Sequence, residues 1–190
     1  WTSGITLNNG SVFTVGVNNS SIFFQGAVTG DGGLQLVKEG DGRNGTHLES
    51  TGNTFTGGVQ FNASRKAELI VNSFADSGSL GAGNLRFTAA RNAYEHLFIM
   101  DTGFNAALTL NNRQFDIADN GADASNEAVG ILNRSAQDLT INTDLIVSGS
   151  NSKRFRLGGT GAGANTFAGA IPDPTTGVLS LIKNESSTWT

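Results

Sequence analysis

At 190 residues the chain can bury one fair-sized core, but 26 glycines, 20 asparagines and only 15 % charged residues leave its polar surface largely to Asn, Ser, Thr and Gly. Such residues suit turns and strand faces and fit helices poorly. The net charge of −4, with no basic block and no basic–aromatic stripe, sets nucleic acid aside as a partner. No apolar run is long enough to span a bilayer, so this segment is not expected to insert in a membrane. The absence of cysteine excludes a disulfide framework and cysteine-ligated zinc or iron–sulfur sites, and leaves export open. Starting at Trp1, the sequence is expected to be a processed product or a piece of something longer.

The predicted elements are short strands. In chain order they fall at residues 5–7, 13–15, 34–36, 46–48, 69–71, 85–87, 97–99, 108–110, 115–117, 129–131, 139–141, 155–157 and 179–181. Most are triplets with an apolar residue on each side of a polar one, the period of a strand with one buried face. Leu69-Ile70-Val71 is apolar throughout, which fits burial on both faces. Clusters of Gly, Asn, Asp and Ser, such as Thr29-Gly30-Asp31-Gly32-Gly33, separate the strands. The stretch TAARNAYE at 88–95 permits a short helix or a loop leading into the strand at 97–99.

Two patterns recur. Asn53-Thr54-Phe55, then Gly57 and Val59, matches Asn165-Thr166-Phe167, then Gly169 and Ile171. Ile5-Thr6-Leu7-Asn8-Asn9 matches Leu108-Thr109-Leu110-Asn111-Asn112, and each is followed by an alternating strand. A triplet strand cannot bury its apolar face alone, but stacked on its equivalent in the next coil it pairs above and below at about 4.8 Å. Apolar residues then form ladders inside, and Asn and Thr form them at the corners, where an asparagine amide both donates and accepts. Short strands also fit a sandwich, and the hairpin-type dipeptides Asn9-Gly10, Asn44-Gly45 and Asn120-Gly121 keep that alternative open.

The run Gly33-Leu34-Gln35-Leu36-Val37-Lys38-Glu39-Gly40, Thr46-His47-Leu48-Glu49-Ser50 and Gly52-Asn53-Thr54-Phe55-Thr56-Gly57-Gly58-Val59 resembles the autotransporter passenger-associated repeat. A second copy begins at Gly177-Val178-Leu179-Ser180-Leu181-Ile182-Lys183 and runs through Thr188-Trp189-Thr190. Arg154-Phe155-Arg156-Leu157-Gly158-Gly159 into Asn165-Thr166-Phe167 looks like another coil type of such proteins. Recognisable motif covers about half of the chain. Phe stands at 55 and 167 where the family has Tyr, and residues 60–105 and 118–150 match loosely. The resemblance implies a right-handed parallel β-helix, exported by a bacterium to the cell surface or beyond. The opening Trp1-Thr2-Ser3-Gly4 could follow the closing Ser187-Thr188-Trp189-Thr190, which suggests head-to-tail stacking with Trp1 and Trp189 at the junction.

Chemical motifs are sparse. Gly40-Asp41-Gly42-Arg43-Asn44-Gly45 spells a dinucleotide fingerprint, but it leads into a strand pattern instead of a helix. His47 and His96 lack partners at metal spacing and are expected at the surface or a corner. Asp31, Asp41, Asp116, Asp119 and Asp123 could offer oxygens to calcium but follow no calcium-loop pattern, so they read as solvated turn residues. The rival to a structural role is a carbohydrate-active β-helix. Its candidate pairs are Asp116 or Asp119 with Glu127, and Asp144 with Arg154 or Arg156. No aromatic platform accompanies them.

The expectation is therefore one β-helical segment of about eight coils at 20–25 residues each over residues 1–190, all-β and non-catalytic, with no cofactor or metal. It would serve as a stalk, adhesin segment or filament subunit. Its expected partners are other copies end to end and a host or neighbouring-cell surface or glycan.

Overall fold

The computed structural model describes residues 1–17, 20–38, 45–62, 67–76, 83–88, 95–118, 129–149 and 151–190. The stretches holding Asp41, Asp119, Asp123, Glu127, Asn44, Asn120 and Gly121, and residues 89–94 of the possible helix, lie outside the described residues.

Among the described residues there are eighteen strands and no helix. Numbered in chain order, they lie on three walls, visited in rotation except from β6 to β10, where walls three and two alternate, and from β17 to β18, where wall two is passed without a strand. Wall one holds β1 (Ile5–Leu7) on β4 (Val28–Gly30), and beyond a break β11 (Leu108–Leu110), β14 (Leu139–Ile141) and β17 (Asn165–Phe167). Wall two holds β2 (Val12–Val17), β5 (Gly33–Lys38), β7 (Val59–Phe61), β9 (Leu85–Phe87), β12 (Phe115–Ile117) and β15 (Ile146–Val147). Wall three holds β3 (Ile22–Phe24), β6 (Thr46–Leu48), β8 (Ala67–Val71), β10 (His96–Met100), β13 (Val129–Asn133), β16 (Lys153–Gly158) and β18 (Leu179–Lys183). All described strand pairs are parallel, which defines a β-solenoid and removes the antiparallel sandwich. Seven stacked strands give wall three a height of about 29 Å at the usual strand spacing.

One circuit takes between 21 residues, from Val12 to its partner Gly33, and 33, from His96 to Val129. The middle circuits exceed the expected length. Eight residues separate Phe87 from His96 and eleven separate Ile117 from Val129, both at the passage from wall two to wall three. A corner can lengthen without disturbing the ladders on either side of it.

The register explains the core. Phe13, Leu34, Val59, Leu85 and Phe115 lie one above another on wall two, with Val15, Leu36, Phe61, Phe87 and Ile117 as a second inward column. Phe61 and Phe87 stack at 4.5 Å. Wall three supplies Leu69, Phe98 and Ile131. Burying one such side chain is worth about 1.5–3 kcal/mol, and like over like satisfies the packing at every rung. Ile70, Ile99 and Leu132, with Leu97, form a second buried apolar cluster on the other face of wall three. The all-apolar Leu69-Ile70-Val71 strand is thus buried on both faces.

The Asn9-Gly10 pair makes a tight turn with Ser11 N donating to Asn8 O at 3.1 Å and φ of 57° and 64° at the two central residues. This is the type I′ geometry that hairpins favour. Here it turns a corner from wall one to wall two instead of reversing the chain.

Candidate functional site

The two Asn-Thr-Phe motifs take equivalent positions entering wall one. Asn53 and Asn165 are 3 % and 1 % exposed, so each amide must find its partners inside. Asn53 Oδ1 accepts from Val28 N at 3.0 Å and Nδ2 donates to Ser50 O at 2.7 Å. Asn165 Oδ1 accepts from Asn133 Nδ2 at 2.6 Å, and its own Nδ2 donates to Thr188 O at 2.8 Å and Gly163 O at 3.1 Å. Each asparagine therefore ties its own corner to a neighbouring coil. Thr54 stacks through its N–H on Val28 O, while Thr166 Oγ1 lies 3.3 Å from Thr190 Oγ1. Phe55 is wholly in the core and Phe167 packs against it from a half-buried position. A Cβ on Gly57 would come within 2.3 Å of Gly32 C, and one on Gly169 within 2.0 Å of Thr143 O, so both matched glycines mark close backbone contact between coils. The match weakens at its end: Val59 is buried in β7, whereas Ile171 is 36 % exposed.

The second repeat diverges at its asparagines. Asn8 and Asn9 form the tight corner already described. Asn111 and Asn112 donate their backbone N–H groups to the Asp76 carboxylate at 2.8 and 3.0 Å, and Arg113 N joins them at 3.2 Å. Asn142 Nδ2 donates to Asn111 Oδ1 at 2.8 Å, an amide ladder between adjacent coils.

Arg113, which follows this corner, is 0 % exposed. Its Nε donates to Ala75 O at 2.6 Å, Nη1 to Gly57 O at 2.9 Å and Gly83 O at 2.8 Å, and Nη2 to Phe55 O. The guanidinium lies 4.4 Å from the Phe74 ring centroid and 5.3 Å from that of Phe55. Burial lowers its pKa to about 10, against the opposing pull of Asp76, so it stays charged at neutral pH. These bonds sit at the break in wall one, where the segment around Phe74 forms no strand. A side chain thus replaces the missing backbone ladder. Nothing in the sequence distinguished Asn112-Arg113-Gln114 from a solvated turn.

On the outer face of wall two, Thr14, Gln35, Gln60, Arg86 and Asp116 lie in register on successive coils. Gln60, Arg86 and Asp116 border a cleft of about 550 Å³, with Thr56, Asn84 and Asp31 along its side. Asp116 is not the solvated turn residue expected from the sequence: it lies in the middle of β12, paired on the next coil, and is only 9 % exposed. Its Oδ2 lies 3.4 Å from Arg86 Nε, and its Oδ1 is buried with no hydrogen-bond partner. Burial raises the pKa of Asp116, with Arg86 pulling the other way.

The other sequence candidates are dispersed. Asp144 accepts from Ala170 N at 2.7 Å at the corner between walls one and two. Arg154 and Arg156 lie on wall three, where Arg156 pairs with Glu95, so the structure does not assemble Asp144 with either arginine. His47 is half-buried and stacks on Phe23 at 4.4 Å. His96 departs from the expected surface or corner position: it is 0 % exposed, within strand β10 at its start, with its ring 6.2 Å from Phe61. Its column also holds Ala67 and Val129, so the register fixes it inside. Among the described residues no three His, Cys, Asp or Glu side chains group as a metal would require.

The large exposed apolar side chains among the described residues are Trp1, Val12 and Phe23 on the first coil, and Ile171, Val178 and Leu181 near the other end. Trp1 is 66 % exposed. Trp189 instead packs against the core and donates its indole N–H to Gly158 O at 3.2 Å.

The arrangement defines a protein of the parallel β-solenoid class. No protein-family model, curated protein or solved structure matches the chain.

Proposed function

We propose that the chain is a non-catalytic structural segment, a rigid β-solenoid rod serving as a stalk, adhesin segment or filament subunit of a bacterial cell surface or extracellular matrix. The observation that carries this reading is the in-register stack, seven strands deep on wall three, with buried asparagines tying adjacent coils. Such a stack resists bending because each rung is bonded along its length to the next. The likeness of the 33–59 segment to autotransporter passenger repeats supports an exported location. Leu181 continues the inward column of Phe155 and Val129 on wall three yet is 54 % exposed, which supports the addition of further coils at that end, from a continuing chain or from a second copy.

Electron micrographs and sedimentation of the purified chain test the rod. Elongated particles, or fibres of uniform width, support it; compact globular particles refute it. A second reading, a carbohydrate-active enzyme, draws on the buried carboxyl of Asp116 in a cleft. Turnover of any polysaccharide in a panel of acidic and neutral substrates, lost on Asp116→Ala or Asp144→Ala, would replace the structural reading with the enzymatic one.

A further inference from the structure

The cleft on wall two holds hydrogen-bonding groups that the fold itself does not use. Arg86 Nε lies 3.4 Å from Asp116 Oδ2, the Arg86 side chain is 55 % exposed, and no hydrogen bond from its terminal NH₂ groups occurs among the described residues. Gln60, one coil away in the same column, is half-buried with an amide that likewise makes none. Asp116, the next residue in the column, has its Oδ1 buried without a hydrogen-bond partner. A planar guanidinium with two free NH₂ groups is shaped for bidentate capture of a carboxylate. A carboxamide supplies both a donor and an acceptor, the pairing a sugar hydroxyl requires. The lining runs across the coils from Val12 to Asp116, four strand spacings or about 19 Å, so an extended ligand fits along the solenoid axis.

We propose that this cleft docks a carboxylate-bearing saccharide laid along the axis, with Arg86 holding the carboxylate and Gln60 a hydroxyl. The docking requires no bond cleavage, and it gives the rod an acidic glycan as a partner. It stands apart from the rod reading: bound but uncut saccharide leaves that reading intact, and cut saccharide overturns it without touching the docking.

Calorimetric titration of the 190-residue chain with tetragalacturonic acid tests the site, with the neutral tetrasaccharide maltotetraose as control and product chromatography to detect cleavage. The wild type should bind the acidic probe at least 10-fold more tightly than the neutral one. Arg86→Gln should lose at least 10-fold in affinity, and Gln60→Ala a smaller factor. Asp116→Asn removes the carboxylate that competes for Arg86 and should match or exceed the wild type. Equal affinity for the two probes, no binding of the acidic one, or an Arg86→Gln variant that folds and binds like the wild type overturns the proposal. Should Arg86→Gln fail to fold, loss of binding in a folded Asp116→Asn variant overturns it as well, because the proposal gives that carboxylate no ligand contact.

Discussion

Replacing Arg113 with methionine tests whether a side chain carries the load of an absent strand. Methionine keeps much of the side-chain length and apolar contact with Phe55 and Phe74 but donates no hydrogen bond. Four carbonyls, three of them buried on Phe55, Gly57 and Gly83 and one partly buried on Ala75, lose their guanidinium donors. Orphaned buried polar groups cost about 1–3 kcal/mol each. Relief from burying the guanidinium offsets part of this, so a net loss of about 4 kcal/mol is expected. Replacing a whole buried ion pair with apolar residues can be neutral, but here the partners are backbone groups that no substitution removes. Arg113→Lys keeps the charge and up to three donors without the planar fork, so it should fall about midway. Urea unfolding followed by circular dichroism gives the difference from midpoints and slopes. An Arg113→Met protein within about 1 kcal/mol of the wild type would refute the reasoning, since four orphaned acceptors set even its lower bound above that.

Asn165→Ala deprives Asn133 of an acceptor and leaves the carbonyls of Thr188 and Gly163 without that donor; a loss of about 2 kcal/mol in the same unfolding assay is expected, and no change would show that water replaces the amide. Gly57→Ala pushes a methyl group to 2.3 Å from Gly32 C and should cost about 2 kcal/mol, measured as a drop in melting temperature, whereas unchanged melting would mean the coils separate freely. Burial lowers the pKa of His47, joined by Arg134 and opposed by Asp101, Glu49 and Glu68. The folded chain therefore takes up the proton less readily than the unfolded one. The stability tied to neutral His47 is present above about pH 6.5 and is lost as pH falls from there through the lowered folded value. Unfolding midpoints at pH 7.5 and 5 should differ more for the wild type than for His47→Gln; equal differences would assign the effect elsewhere.

Legibility in the sequence followed the ladders. Triplets such as Leu85-Arg86-Phe87 announce themselves because a half-buried strand imposes period two. The Asn-Thr-Phe motifs were readable because equivalent corners demand equivalent amides, and the glycine two residues on was readable because coils touch there. Three kinds of feature were not. His96 begins a strand whose apolar neighbours bury it, a fact set by register across 29 and 33 residues and not by its local pattern. Arg86 with Asp116 becomes a pair only when coils stack, 30 residues apart. Arg113 reaches back 58 residues to Phe55, in a turn that locally looks like any polar loop. Such contacts depend on which corners absorb extra residues, and composition carries no record of that.

The wall-one break has a mechanical corollary. Chains drawn from the two ends of a stack of this kind detach coil by coil, each step opposed only by its nearest neighbour. Arg113 grips two lower coils at once, while Asp76 grips the corner above it. A detachment front should stall at this double rivet. Force–extension traces should then show small, regular rips followed by one larger release, and Arg113→Met should erase that last event.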